Sequence, residues 1–157
     1  MTSLIVESST PFVPCVLMVY DGSARAQQTL LRTEALTRWP DAIFILVAAL
    51  QAAEGLHQDQ AMSDIISEAG AAERAHVRFI LERGADALRS QGFRVDAMVL
   101  EGECVDELIG IARNESAVLV AVAHRPEPPW SRQWWQTHVV RRLMERLPCG
   151  LMLLAVR

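Results

Sequence analysis

The chain contains no lysine, since all 15 of its basic residues are arginine. This absence excludes a Walker-type phosphate lysine, a Schiff-base lysine and the β3 lysine of a protein kinase. Any contact with a phosphate group therefore has to come from a backbone N–H, a hydroxyl, a histidine or an arginine.

Cysteine is scarce and scattered. The three cysteines, Cys15, Cys104 and Cys149, lie far apart and form no CxxC pair. This pattern argues against a disulfide framework and against a thiolate zinc site. The three are predicted to act as small buried hydrophobic side chains.

Long apolar runs and excess positive charge are also missing. No apolar stretch reaches the length that crosses a bilayer, and the N-terminus has neither a basic region nor the apolar core of a signal peptide, so a cytoplasmic protein without a membrane partner is predicted. The net charge of −4 argues against a nucleic-acid partner. With 51% hydrophobic residues in 157, one domain with a sizeable core is expected.

Apolar runs alternate with helical patterns along the chain. Five runs are predicted as strands. Four of them are apolar on both faces and therefore need helices on both sides. The third carries Arg94 and Asp96 on one face and is predicted to be partly exposed. The prediction is a five-stranded, mostly parallel sheet in a doubly wound α/β/α arrangement. The strands are expected at Cys15 to Tyr20, Ala42 to Leu50, Phe93 to Leu100, Ala117 to Ala123 and Gly150 to Val156.

The helices follow from apolar spacing. The first is predicted over Ala24 to Arg38 and the longest over about Met62 to Gln91. In the longest helix, His76 falls on the apolar stripe, so it is predicted to be a satisfied core histidine rather than part of a di-iron motif. The predicted stripe is Met62, Ile65, Ile66, Ala69, Ala72, His76, Phe79, Ile80 and Leu88.

Two strand ends carry polar residues beside a turn. Asp21-Gly22-Ser23 follows the first strand, and His124-Arg125 follows the fourth. Ligands of such sheets bind beyond the carboxyl ends of the strands, where the winding direction reverses. If the first and fourth strands are neighbours, these loops share one crevice, towards which the first helix points its N-terminus.

Three segments carry a resemblance to a known family. Val16 to Ser23 (VLMVYDGS), Val99 to Ile109 (VLEGECVDELI) and Leu147 to Leu154 (LPCGLMLL) occur in this order at suitable spacing. The chain resembles the universal stress proteins over residues 15–157, which leaves residues 1–14 as an N-terminal extension. The resemblance implies strand order 3-2-1-4-5, dimers, and ATP bound in some members.

One departure from the family pattern is large. The ATP-binding members it resembles carry Gly-x-x-Gly, nine residues and then Gly-Ser or Gly-Thr, and these glycines let backbone N–H groups close on the phosphates. The corresponding stretch, Val122 to His138, contains no glycine and has three prolines, which lack an N–H. The tight triphosphate cradle is therefore predicted to be lost.

The candidate nucleotide-binding positions combine this alignment with the strand ends. Asp21 is implied to contact adenine or ribose, and the alternative is a turn with an N-cap for the first helix; both can hold. Val122 and Arg125 align with the first two glycines, and Thr137-His138 with Gly-Ser. The candidates are Asp21, Gly22, Ser23, Ala48, His124, Arg125, Thr137 and His138.

Three other groups have alternative interpretations. His124 and His138 lack a partner carboxylate or cysteine, so no metal is predicted. The tryptophans Trp130, Trp134 and Trp135, with Arg125 and Arg132, either stack on a base or fill the phosphate space and pack on a partner, which is the favoured interpretation. Arg141, Arg142 and Arg146 are predicted to complement a helix C-terminus.

The leading functional hypothesis is a non-enzymatic stress-response or regulatory module that acts through dimerisation and contacts with a protein partner, with no cofactor required. The alternative is a switch that binds ATP or AMP through Asp21 and the His124-Arg125 loop. An ATP-hydrolysing enzyme is a third, weaker hypothesis, since no general base is identifiable. The dimer is predicted to form through the last strand, Leu151 to Val156, which has no charge before Arg157.

Overall fold

A computed structural model of the chain describes residues 13–33, 35–50, 60–101, 104–124 and 137–156. Five strands alternate with helices, as the apolar runs predicted. The strands are β1 (Cys15–Tyr20), β2 (Ile43–Leu50), β3 (Arg94–Glu101), β4 (Ala117–His124) and β5 (Gly150–Ala155). The helices are α1 (Ala24–Leu31), α2 (Ala35–Arg38), α3 (Gln60–Ser90), α4 (Cys104–Asn114) and α5 (Thr137–Arg146).

The sheet is parallel throughout, with strand order β3-β2-β1-β4-β5. The predicted fold class and strand order are therefore confirmed. The chain moves from β1 outwards to β3 and then returns to β4 on the other side of β1, so the winding direction reverses between β1 and β4. This is the place where doubly wound sheets bind ligands.

Alternate residues of the central strands enter two separate cores. Val16, Met18 and Tyr20 of β1 pack with α1 and α3, whereas Leu17 and Val19 pack with α4 and α5. All six residues of β1 are buried. Because the strand is covered on both faces, it has no polar side, and this explains its uninterrupted apolar sequence.

The first predicted helix is broken into two. α1 ends at Leu31, Arg32 leaves the helical conformation, and α2 begins at Ala35. The buried Thr33 directs its hydroxyl to the sulfur of Met152 on β5, at 3.5 Å. A tertiary contact at a β-branched residue thus accompanies the break in a segment whose apolar spacing is helical throughout.

The core-facing side of α3 differs from the predicted stripe. Val77, Leu81, Ala85 and Leu88 are buried, whereas Phe79 is 59% exposed. His76 is exposed too, so its prediction as a core histidine is wrong. Residues 71–76 are all exposed, and the first buried side chain of the described part of α3 is Val77. The spacing of the small residues in this helix therefore does not mark the side that meets the sheet.

Helix α4 buries the predicted residues Val105, Leu108, Ile109 and Ala112. Of the α5 arginines, Arg146 lies in the last turn of the helix, where a basic side chain complements the C-terminus as predicted. Arg146 Nη1 also lies 2.6 Å from Asp106 Oδ1, in the first turn of α4, and Arg142 Nη2 lies 3.4 Å from the same atom, so these two side chains join α5 to α4. The three groups are partly exposed, and such pairs contribute little to stability.

The cysteines match their predicted role. Cys15 and Cys104 are buried, Cys149 is half-buried, and all three are free thiols. Burial raises the pKa of Cys15 to about 11, with Glu115, Asp96 and Cys149 adding to the effect. In the part of the chain that the structure describes, no helix is long and apolar enough to cross a membrane.

Candidate functional site

The ends of β1 and β4 lie side by side. Val19 pairs with Val122 in the parallel ladder. Asp21 and His124 each follow two residues later, at the same carboxyl end of the sheet. The condition for a shared crevice, namely that the first and fourth strands are neighbours, is therefore met.

A compact turn connects β1 to α1. The amide of Ser23 donates to Asp21 Oδ1 at 2.9 Å, and the amide of Ala26 donates to Ser23 Oγ at 3.3 Å. Ser23 is thus the N-cap of α1, as the alternative interpretation of this segment proposed. The Asp21 carboxylate is held at the mouth of the turn and is only partly buried.

Gly22 is enclosed beneath α3. Its φ is +89°, a left-handed conformation that side chains disfavour. A Cβ at this position would lie 3.0 Å from both methyl carbons of Val77 and 3.4 Å from Leu50 Cδ2. Glycine is therefore required here for its conformation and for its size, and α3 covers the turn directly.

A buried amide lies behind the turn. Gln27 of α1 is 7% exposed, and its Nε2 donates to Tyr20 Oη at 2.9 Å and to the Ile80 carbonyl of α3 at 2.8 Å. Burial raises the pKa of Tyr20 to about 12, although the Gln27 hydrogen bond opposes the shift. The phenol is therefore a neutral structural group at ordinary pH.

The remaining candidate positions are placed differently. The Ala48 side chain is fully buried in the core beside Tyr20, its partner in the β1–β2 ladder. His124 is the last residue of β4, and Thr137 and His138 are the first two of α5; only their backbone is described. Arg125 and the three tryptophans of the following segment lie outside the described residues. The structure thus brings Asp21, Gly22, Ser23 and the backbone of His124 to one end of the sheet.

Gln27 and Gly84 are the residues that sequence reasoning missed. Gln27 stands among the polar residues Gln27-Gln28-Thr29 of α1, where it resembles a solvent-facing side chain. Gly84 lies inside the continuous helix α3, and a glycine inside a helix usually has a packing reason. That signal was present in the sequence, but its partner, 57 positions earlier, could not be identified without the fold.

The side chains that commonly bind metal ions do not cluster in the described residues. No group of three or more histidine, cysteine, aspartate or glutamate side chains is arranged to hold a metal ion within the ranges that the structure describes. At the end of β3, Glu101 pairs with Arg74 of α3 at 3.3 Å. The Asp21 carboxylate can accept hydrogen bonds, and the enclosed turn gives it a fixed position from which to do so.

Solved structures share this fold. A universal stress protein UspA from Lactobacillus plantarum superposes with a TM-score of 0.67 at 15% identity, over 90% of this chain and 97% of that one. A universal stress protein from Archaeoglobus fulgidus in complex with dAMP gives 0.54 at 16%, over 91% and 98%. A universal stress protein in complex with cAMP gives 0.54 at 17%, over 92% and 98%.

A search of curated protein sequences finds no match to this chain. The model of the universal stress protein family, in contrast, matches residues 15–156. The matched residues include all five strands and the turn at Asp21. The chain belongs to the universal stress protein family.

Proposed function

We propose that the chain is a cytoplasmic regulatory module of the stress response that works as a homodimer, through contacts with a protein partner and not through catalysis. Family membership supports the stress-response role. The observation that carries the proposal is that β5, the last strand of the sheet, has an unpaired and apolar edge.

Strand β5 is an open edge. It pairs with β4 on one side only, and within the described part of the chain no strand covers its other side. Leu153 is 48% exposed, and Met144 of α5, the helix that precedes β5 in the chain, is 68% exposed. An uncovered apolar edge invites aggregation. Pairing with the same strand of a second copy about a two-fold axis satisfies its backbone and buries its side chains.

The opposite edge of the sheet is different. On β3, Arg94 and Asp96 are exposed and alternate with the buried Val95. Charged side chains on an edge strand discourage pairing with another chain. The contrast between β3 and β5 favours β5 as the edge that a second copy covers.

Light scattering on the variant Leu153→Lys tests the dimer. Because Leu153 is half exposed, lysine can be accommodated in a single copy but would place a charge within the paired edge. We expect a dimer for the wild type and a monomer for the variant at roughly 50 μM, where even a micromolar dimer persists. Arg94→Ala on β3 is the control and should remain dimeric. A monomeric wild type contradicts the proposal.

A second candidate function is binding of an adenine nucleotide, ATP or AMP, and the geometry of the β1–α1 turn favours it. The turn presents a fixed carboxylate at the winding reversal, beside the N-terminus of α1. Two relatives with this fold were crystallised with dAMP and cAMP, both monophosphates. The glycine-free stretch from Val122 to His138 lacks the usual means of holding three phosphates. We therefore propose that any nucleotide is held mainly by its nucleoside end.

Calorimetric titration with AMP and with Mg-ATP tests this second function. We expect AMP to bind at least as tightly as Mg-ATP. We also expect Asp21→Asn to weaken the binding of both nucleotides, because asparagine keeps an oxygen for the Ser23 amide but removes the negative charge. A dissociation constant for Mg-ATP in the low micromolar range, about −8 kcal/mol, contradicts the predicted loss of the cradle. Absence of AMP binding contradicts the nucleotide function itself.

A further inference from the structure

The turn that carries Asp21 depends on where α3 lies. Gly22 has no space above it, because its missing Cβ would stand 3.0 Å from the methyl groups of Val77. Any shift of α3 towards or away from the sheet at this point changes the room available to residues 21–23. The orientation of the Asp21 carboxylate is therefore set by α3 as well as by its own turn.

Gln27 holds α3 at its distance from the turn. Its amide nitrogen has two N–H donors, and both are used: one reaches Tyr20 Oη and the other the Ile80 carbonyl. Tyr20 immediately precedes Asp21, and Ile80 lies one helical turn after Val77. The amide therefore ties the end of β1, the start of α1 and α3 together around the turn.

Gly84 completes the arrangement. A Cβ at this position would lie 2.4 Å from both Cδ and Nε2 of Gln27. No real contact is that short, so any side chain here would displace the amide. Glycine is a poor helix former, and the neighbouring position, Ala85, carries an ordinary buried side chain. The space that Gly84 leaves is filled by the amide.

We propose that Gln27 and Gly84 are positioning residues for the nucleotide site, which hold the Asp21–Ser23 turn in its binding conformation by fixing α3 above Gly22. The proposal rests on the nucleotide-binding function put forward above. It assigns a role to a buried polar contact that neither the family match nor the sequence motifs identify.

Gln27→Met tests the role of the amide, because methionine keeps the length of the side chain and removes both donors. The matched control is Gln28→Met on the exposed side of the same helix. AMP affinity is measured well below the melting temperature, together with NMR hydrogen exchange of the Ser23 and Ala26 amides. We expect Gln27→Met to weaken AMP binding roughly tenfold, the scale of one good hydrogen bond, and to accelerate exchange at both amides relative to central-strand amides.

Gly84→Ala tests the match between the two residues. In the wild-type background the new methyl group collides with Gln27, so the melting temperature and AMP affinity should both fall. In a Gln27→Ala background the collision is gone, and the same substitution should be neutral or stabilising. Gly70→Ala in α3, where a Cβ would meet nothing within 4 Å, is the control and should not depend on residue 27.

The outcomes separate this inference from the nucleotide function. If wild-type protein does not bind AMP, the nucleotide function fails, and the exchange measurement alone decides whether Gln27 positions the turn. If Gln27→Met destabilises the protein but leaves AMP affinity and the relative exchange of Ser23 and Ala26 unchanged, the tie is merely structural and the inference is overturned. Equal effects of Gly84→Ala in both backgrounds also overturn it.

Tyr20→Phe removes one acceptor of the Gln27 amide. It should weaken AMP binding and accelerate exchange of the Ser23 and Ala26 amides, as Gln27→Met does, but by a smaller amount.

Discussion

Tyr20 is the only tyrosine of the chain, and its phenol is fully buried at the end of β1. Its pKa is raised from 10.0 to about 12, mainly because burial penalises the phenolate. The Gln27 donor partly offsets this, whereas Asp21 adds to it. A raised pKa means that the folded chain retains the proton more strongly than the unfolded chain between pH 10 and pH 12.

Tyr20 should therefore contribute to the dependence of stability on pH, alongside the buried Cys15 thiol, whose pKa is also raised. The contribution of Tyr20 is fully present below pH 10 and is lost as pH rises towards 12, and the difference corresponds to roughly 3 kcal/mol. We expect the near-ultraviolet phenolate band to be absent at pH 10 in folded protein and present at the same pH in denaturant. Tyr20→Phe should lack this part of the stability loss in alkaline unfolding titrations. Phenolate formation near pH 10 in folded protein would contradict the burial argument.

Single residues also show where sequence reasoning stops. Ser23 could be predicted as an N-cap because its role depends on the next three residues. Gln27 could not be predicted as buried, since its partners lie on β1 and α3 and exist only in the fold. His76 was placed on the wrong side of α3 because the small residues of its predicted stripe do not indicate which side meets the sheet.

Two helices end in different ways before a strand. Gly92 follows the end of α3 with a φ of +94°, and the Phe93 amide donates to the Leu88 carbonyl. Ser116 follows the end of α4 with a φ of +49°, and its amide donates to the Arg113 carbonyl. Glycine adopts this left-handed conformation without strain, whereas serine pays a steric cost at the same type of position.

Ser116→Gly should therefore stabilise the chain. Relief of the left-handed strain, about 1–2 kcal/mol, exceeds the entropy that glycine adds to the unfolded chain, so we expect a net gain of about 0.5–1 kcal/mol. Urea unfolding measures the change. Gly92→Ser provides the reverse substitution and should destabilise by about 1 kcal/mol. A loss of stability in Ser116→Gly would show that the serine side chain has a compensating role.

Elements were predicted better than their orientations. The three central strands, β1, β2 and β4, follow directly from continuous apolar runs, because a strand covered on both faces has no polar positions. The break between α1 and α2 did not follow from the sequence, since the contact between Thr33 and Met152 joins segments 119 residues apart. At the candidate site, the meeting of Asp21 and His124 could be predicted from strand order, whereas the covering of Gly22 by Val77 could not.

The proposed dimer through β5 makes a prediction about how thermal unfolding depends on protein concentration. If β5 is covered by a second copy, unfolding separates two chains, and mass action then makes the melting temperature depend on concentration. For a chain of 157 residues this amounts to about 2 °C for each tenfold increase. We expect this increase in calorimetric scans of the wild type and of Arg94→Ala. Leu153→Lys should melt at one temperature regardless of concentration, since its unfolding involves a single chain. The contrary result is a wild-type melting temperature that does not change over a concentration range in which scattering reports a dimer. It would mean that the two copies separate before they unfold, and that pairing through β5 does not stabilise the fold of each chain.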